Sequence, residues 1–203
     1  MLFCLVALGA SGQTSLLLTA ADGLTSSLVN FVYEDRYGLI WIGTEDGLNK
    51  YDGVKLTAYR HVKSDKSSLA NNYVSTMIED AQGRLIVSTH NGMQLYRHDT
   101  DDFSLQATFA DGEVMHENVS RMMLEHDGRL YGTGDLNCEV KVRDGDHLEI
   151  VPMAKPYFAD EISKELTLEL NVRTTLRYDD RHLLLGTDGQ GVKLYDEKLH
   201  TYT

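Results

Sequence analysis

The stretch Tyr33 to Asp52, YEDRYGLIWIGTEDGLNKYD, returns at Ile78 to Arg97 as IEDAQGRLIVSTHNGMQLYR, displaced by 45 positions: Glu34 to Glu79, Gly38 to Gly83, Tyr51 to Tyr96. A worn third copy, LEHDGRLYGTGDLNCEVKVR, runs from Leu124 to Arg143. A fourth, YDDRHLLLGTDGQGVKLYD, runs from Tyr178 to Asp196 and recovers the Gly-Thr and Tyr-Asp pairs. A unit of this length that recurs four times excludes most folds at once. Each copy is one small supersecondary unit that cannot bury its apolar surface alone, so the copies must stack.

The unit reads as four short strands. Leu28 to Tyr33 alternates roughly, and Glu34-Asp35 with Gly38 supply turn chemistry, a local acceptor followed by a residue free to take positive φ. Leu39 to Ile42 is a continuous apolar run ending at Gly43-Thr44, the pattern of a central strand covered on both faces. Glu45-Asp46-Gly47 turns the chain into Leu48 to Tyr51, and Asp52-Gly53 turns it into a more polar outer strand, Lys55 to Tyr59. Four antiparallel strands per repeat predict an all-β fold, a β-propeller of four-stranded blades. Helical and leucine-rich repeats fit poorly, because turn residues interrupt the chain every four to eight positions.

Along the chain, Met1 to Gly12 (MLFCLVALGASG) reads as a signal peptide lacking its basic leading segment. Blades are expected at about residues 23–60, 69–109, 115–151 and 166–203. The linker His61 to Asn72 joins the first two, and blade three places Tyr131 where blade one has Trp41, with a turn one residue shorter. An insertion at 152–165, which holds both prolines, lengthens the step from Asn118 to Asn171 to 53 residues. Both faces of each blade are apolar, so an open arc of four would leave a bare face at each end. Further blades or a second copy are expected to cover them.

With 31 acidic against 19 basic residues and a formal charge of −12, the chain lacks the clustered Lys and Arg that a nucleic-acid surface needs. Cys4 and Cys138 form no disulfide framework, and Cys138 reads as a buried strand residue. The eight histidines are scattered without ligand spacing, and Asp99, Asp101 and Asp102 lack the glycine and distal glutamate of a calcium loop, so they read as a solvated turn. No metal or other cofactor is expected. Trp41, the only tryptophan, reads as core, and Gly43, Gly132 and Gly186 as points of close approach between blades.

The pattern N-x-V-x-x-I-x-E-D-x-x-G-x-L-W-I-G-T-x-x-G-L-x-x-Y-D resembles the two-component regulator propeller repeat. Blade one matches at Val29, Val32, Glu34, Asp35, Gly38, Ile40, Trp41, Ile42, Gly43, Thr44, Gly47, Leu48, Tyr51 and Asp52. Blade two keeps Asn72, Val74, Met77, Glu79, Asp80, Gly83, Thr89, Gly92 and Tyr96; blade four keeps Asn171, Leu176, Asp179, Gly186, Thr187, Tyr195 and Asp196; blade three keeps Asn118, Glu125 and Gly128. The resemblance implies the amino-terminal part of the periplasmic sensor region of a hybrid histidine kinase, with a seven-bladed propeller of which four blades are present. The family's later membrane helix, kinase, receiver and DNA-binding parts have no counterpart in these residues.

Functional candidates sit on loops held by the scaffold. In a four-stranded blade the turn between the second and third strands emerges on the same face as the connection between blades. Glu45, Asp46, His90, Asn91, Asp135, Asn137, Asp188 and Gln190 should therefore ring one mouth, a setting suited to a hydroxyl-rich ligand such as an oligosaccharide. A scaffold for protein interaction or dimerisation is the alternative. A propeller lyase or glycosidase would need a unique acid and base pair, whereas Glu34-Asp35 and Glu79-Asp80 recur in successive turns, so no catalysis is expected.

Overall fold

The computed structural model describes residues 17–125, 127–143, 145–154, 170, 172–187 and 189–203. The expected signal peptide, most of the expected insertion, Asn171 and Asp188 lie outside the described residues.

The chain is an all-β propeller of four-stranded antiparallel blades. A short capped turn at Ala20–Asp22 leads into blade one, β1 (Val29–Glu34), β2 (Ile40–Thr44), β3 (Gly47–Tyr51) and β4 (Leu56–Tyr59). Blade two follows as β5 (Val74–Glu79), β6 (Leu85–Thr89), β7 (Gly92–Arg97) and β8 (Asp102–Phe103). A two-residue strand β9 (Thr108–Phe109) precedes blade three, β10 (Val119–Leu124), β11 (Leu130–Gly134), β12 (Cys138–Arg143) and β13 (His147–Pro152). Blade four is β14 (Val172–Arg177), β15 (His182–Thr187), β16 (Val192–Asp196) and β17 (Thr201–Tyr202).

The registers repeat with the sequence. Val29 pairs with Thr44, Val74 with Thr89, Val119 with Gly134 and Val172 with Thr187, and each first strand carries a bulge just after that pair. Polar side chains tie the first strands of successive blades: Asn30 Nδ2 donates to the Val74 carbonyl at 2.8 Å and Ser75 Oγ to Asn118 Oδ1 at 2.6 Å. At the far end the Glu79 N–H donates to the Tyr33 hydroxyl at 3.2 Å, and Arg36 pairs with Glu79. Neighbouring first strands therefore run in the same sense, so equivalent turns of blades one, two and three share a face.

The core lies between blades. Leu85 and Val87 of β6 join Trp41, Leu48, Leu69, Val74, Met77, Tyr96 and Phe103 on one side. Ile86, between them in sequence, points the other way, into a cluster with Met93, Leu95, Val119, Leu130 and Cys138. Strand periodicity thus turns one unbroken apolar run into two cores, and each fully buried large side chain contributes about 1.5–3 kcal/mol.

The Glu-Asp turn is a folding device. Asp35 Oδ1 accepts the Tyr37 and Leu39 N–H groups and Oδ2 accepts Trp41 Nε1 at 2.8 Å. Blade two has Ile86 in place of tryptophan, and the second oxygen of Asp80 is taken instead by Arg84 Nε at 2.6 Å. Gly38, Gly83 and Gly128 close the three turns at φ of 76°, 89° and 83°, a conformation with little penalty only for glycine.

Three expectations change. The first turn of blade three is not shorter, because Glu125 occupies the position of Asp35: its N–H bonds the Arg129 carbonyl as that of Asp35 bonds Leu39. Gly43 and Gly132 are crowded from within their own blades, since a Cβ would meet the Phe31 ring at 1.9 Å and Val119 Cγ1 at 2.7 Å. Residues Thr108 and Phe109, assigned by sequence to blade two, instead pair in parallel with Glu149 and Ile150 at the edge of blade three. The hairpin formed when Met115 N–H bonds the Ala107 carbonyl carries them there.

Candidate functional site

In blades one, two and four the threonine that ends the second strand builds the turn after it. Thr44 Oγ1 donates to the Gly47 carbonyl at 2.9 Å and accepts the Asp46 N–H at 3.1 Å. Thr89 does the same with Gly92 and Asn91, and Thr187 with Gly191 and Gln190. A second contact fixes the turn to the incoming chain: Glu45 N–H bonds the Leu28 carbonyl, His90 that of Tyr73 and Asp135 that of Asn118, again at 45-residue steps.

These contacts bring Glu45, Asp46, His90, Asn91, Asp135 and Asn137 to one face, beside the connections that enter the first strands. Glu45, His90 and Asp135 are exposed. Asp46 is braced by Arg60 and by Asn72 Nδ2, each at 3.0 Å, and His90 stacks on Tyr73 with ring centroids 3.7 Å apart. Asn91 is half-buried, its amide donating to the Ala70 carbonyl at 3.3 Å and its oxygen 2.9 Å from His116 Nδ1. Asn137 accepts the Thr133 hydroxyl at 2.6 Å. Gln190 is exposed in the equivalent turn of blade four.

A groove of about 320 Å³ opens beside Asn91, between the linker from His61 to Ala70 and the hairpin that holds Leu105 and Val114. That size is at the lower end for small-ligand sites, which run from about 300 to 1,000 Å³. Its wall residues Lys63, Lys66 and Gln106 were not among those the repeat pointed to, because linker and hairpin positions have no counterpart in the other copies. The linker's two lysines were the signal visible in the sequence.

The acidic run after His98 is not merely a solvated turn. Asp101, at φ 57°, accepts hydrogen bonds from Lys50 Nζ, Tyr59 Oη and Tyr96 Oη, each at 2.5 Å, and joins blade one to blade two. Partial burial pushes its carboxyl up, but the bonds from Lys50, Tyr59 and Tyr96 outweigh that and hold it at about 2. Asp102 pairs with Arg97 at 2.8 Å. Among the described residues no group of His, Cys, Asp and Glu side chains is disposed to hold a metal ion.

The family model described as two component regulator propeller matches residues 23–46 and 68–91, each spanning a first strand, its turn and the second strand. These are two-component regulator propeller repeats. Over 73 residues, 34% of its length, this chain is 37% identical to histidine kinase P4 of Formosa agariphila, of which the match covers 5%. The fold is similar to the extracellular domain of BT3049 from B. thetaiotaomicron, assigned to a hybrid two component system, with a TM-score of 0.62 at 18% identity. That superposition covers 93% of this chain and 26% of the other. The extracellular domain of BT4673 from the same organism, assigned to a one component system, gives a TM-score of 0.56 at 14% identity, covering 87% of this chain and 25% of the other. The chain thus spans about a quarter of the length of these solved structures, and its match covers a far smaller part of the kinase.

Proposed function

We propose that these blades belong to the extracytoplasmic sensing region of a two-component sensor and that they take a glycan or oligosaccharide on the face where the second turns gather. One observation carries the reading. The 45-residue repetition of Glu45 to Leu28, His90 to Tyr73 and Asp135 to Asn118 sets varied polar side chains on a fixed frame around one mouth, next to an open groove. Rigid backbone with variable polar tips is the arrangement from which a binding site for many hydroxyls is made. The regulator propeller repeats and the hybrid two component assignment of BT3049, which shares this fold, support the sensor role. In the same reading, further blades complete a seven-bladed ring, and the protein binds rather than turns over its ligand.

The test is calorimetric titration of the purified protein with a panel of neutral and charged oligosaccharides, repeated with Glu45→Ala and His90→Ala. Binding to at least one member of the panel, weakened in these variants, is the expected result. Failure of every oligosaccharide to bind would refute the glycan reading, and turnover of any of them would refute the binding-only role.

A further inference from the structure

We infer that the groove between the His61–Ala70 linker and the hairpin bearing Leu105 and Val114 is a subsite for the acidic unit of an anionic oligosaccharide, with Lys63 and Lys66 meeting its carboxylate or sulfate. This inference rests on the glycan reading above and narrows it.

The charge pattern is the first ground. In a chain of formal charge −12, most described cations already have carboxylate partners, as in the pairs Arg36–Glu79, Lys50–Asp101, Arg60–Asp46, Arg97–Asp102 and Arg181–Asp196. Lys63 and Lys66 are exceptions. Both line the groove, both are exposed, and neither makes a hydrogen bond or ion pair with the described residues. Among the described residues the only acid in the lining is Asp65, whose Oδ1 is turned into its own loop, accepting the Ser67 N–H at 2.9 Å and the Ser67 hydroxyl at 2.6 Å. Ammonium groups left unpaired in so acidic a molecule favour an anion locally and disfavour it elsewhere on the surface.

Preorganisation is the second ground. Val62 N–H bonds Ser68 Oγ at 2.8 Å, Ser68 Oγ donates to the Asp65 carbonyl at 2.6 Å, and Val62 bridges Asp65. His61 is anchored at both ends of its residue, its N–H on Asn72 Oδ1 at 2.7 Å and its Nδ1 on the Leu69 carbonyl at 2.7 Å. The loop that carries both lysines therefore costs little further ordering when a ligand arrives.

The rest of the lining suits a sugar ring. Gln106 is held by the bond from its Nε2 to the Asn91 carbonyl at 2.5 Å, which leaves its side-chain oxygen as an acceptor for a hydroxyl. Leu105, 66% exposed, and Val114, 41% exposed, give an apolar wall for the C–H face of a pyranose. A phosphopeptide or free phosphate would find the cations but make little use of that wall.

The experiment titrates the protein with three galactose-based trimers of one length: neutral galactotriose, trigalacturonate and sulfated galactotriose. The wild-type protein is expected to prefer one or both acidic trimers about tenfold, with the preference shrinking as salt rises from about 0.05 to about 0.5 M. The Lys63→Ala/Lys66→Ala double variant should lose that preference while Lys63→Arg/Lys66→Arg keeps it. A stronger response to one acidic trimer identifies the acid group as carboxylate or sulfate. Binding of all three trimers with equal affinity, or an acidic preference untouched in the Ala variant, would overturn the subsite while leaving the glycan reading in place. Absence of binding by any of the three and by the wider panel would remove both.

Discussion

Replacing Asp101 by asparagine removes one charge from the joint between blades one and two and changes little else, because asparagine tolerates the left-handed backbone at φ 57° as aspartate does. The carboxyl is held at about 2 against an ordinary value of 3.8, and if fully expressed that difference would be worth about 2.5 kcal/mol. Asp101 is 52% exposed in its side chain, so solvent screening reduces the expected loss to about 1 kcal/mol. For a chain of this size that is roughly 2–4 °C in Tm. A folded-state value below the unfolded one stabilises above about pH 4, and the stabilisation fades as pH falls from there towards 2. The difference between wild type and Asp101→Asn should therefore be full at pH 6–7, halve near about pH 3, midway across that window, and vanish below about pH 2. Urea unfolding at several pH values measures it, followed by the emission of Trp41, which is fully buried with its ring 4.6 Å from that of Tyr96. A stability difference that stays constant from pH 6 to pH 2.5 would refute the electrostatic account, and so would none at neutral pH.

Three further outcomes are expected. Asp35→Ala leaves Trp41 Nε1 and two backbone N–H groups without their acceptor, and should cost about 3 kcal/mol in denaturant unfolding, against a few tenths for the exposed Glu45→Ala. Val32 and Met77 occupy the same repeat position but are 64% and 5% exposed, so Met77→Ala should cost about 2–5 kcal/mol and Val32→Ala less than about 0.5 kcal/mol. Burial pushes the Cys138 thiol up to about 12; in a Cys4→Ser background, iodoacetamide at pH 8 should label it only after unfolding.

Blade architecture was legible because it is written four times: the turn glycines Gly38, Gly83 and Gly128 recur at 45-residue steps, the clamp threonine and the tyrosine of the third strand recur in blades one, two and four, and the registers follow them. What escaped was whatever links one copy to another. Lys50 and Asp101 belong to different repeats; Asp146, 45 residues after Asp101, likewise reaches back to the preceding blade and pairs with Arg97 at 3.5 Å, but the cation has moved from the position of Lys50, where blade two has Leu95, so the repeat does not announce the bond. The crowding at Gly43 was foreseen, but its source, the Phe31 ring across the strand pair, was not, since local spacing does not reveal which neighbour comes closest. Of the candidate site, the turns that repeat were readable, whereas Lys63, Lys66 and Gln106 stand on segments unique to one blade.

The parallel pairing of β9 with β13 changes what counts as one unit when the molecule opens. The chain leaving blade two becomes the fifth strand of blade three's sheet, so neither blade can detach without stripping the other's edge. In a linear array each repeat would exchange its amide protons at a rate set by its own strength and that of its neighbours. Here the amides of blades two and three should exchange together, as a single opening event, while blade one frays separately.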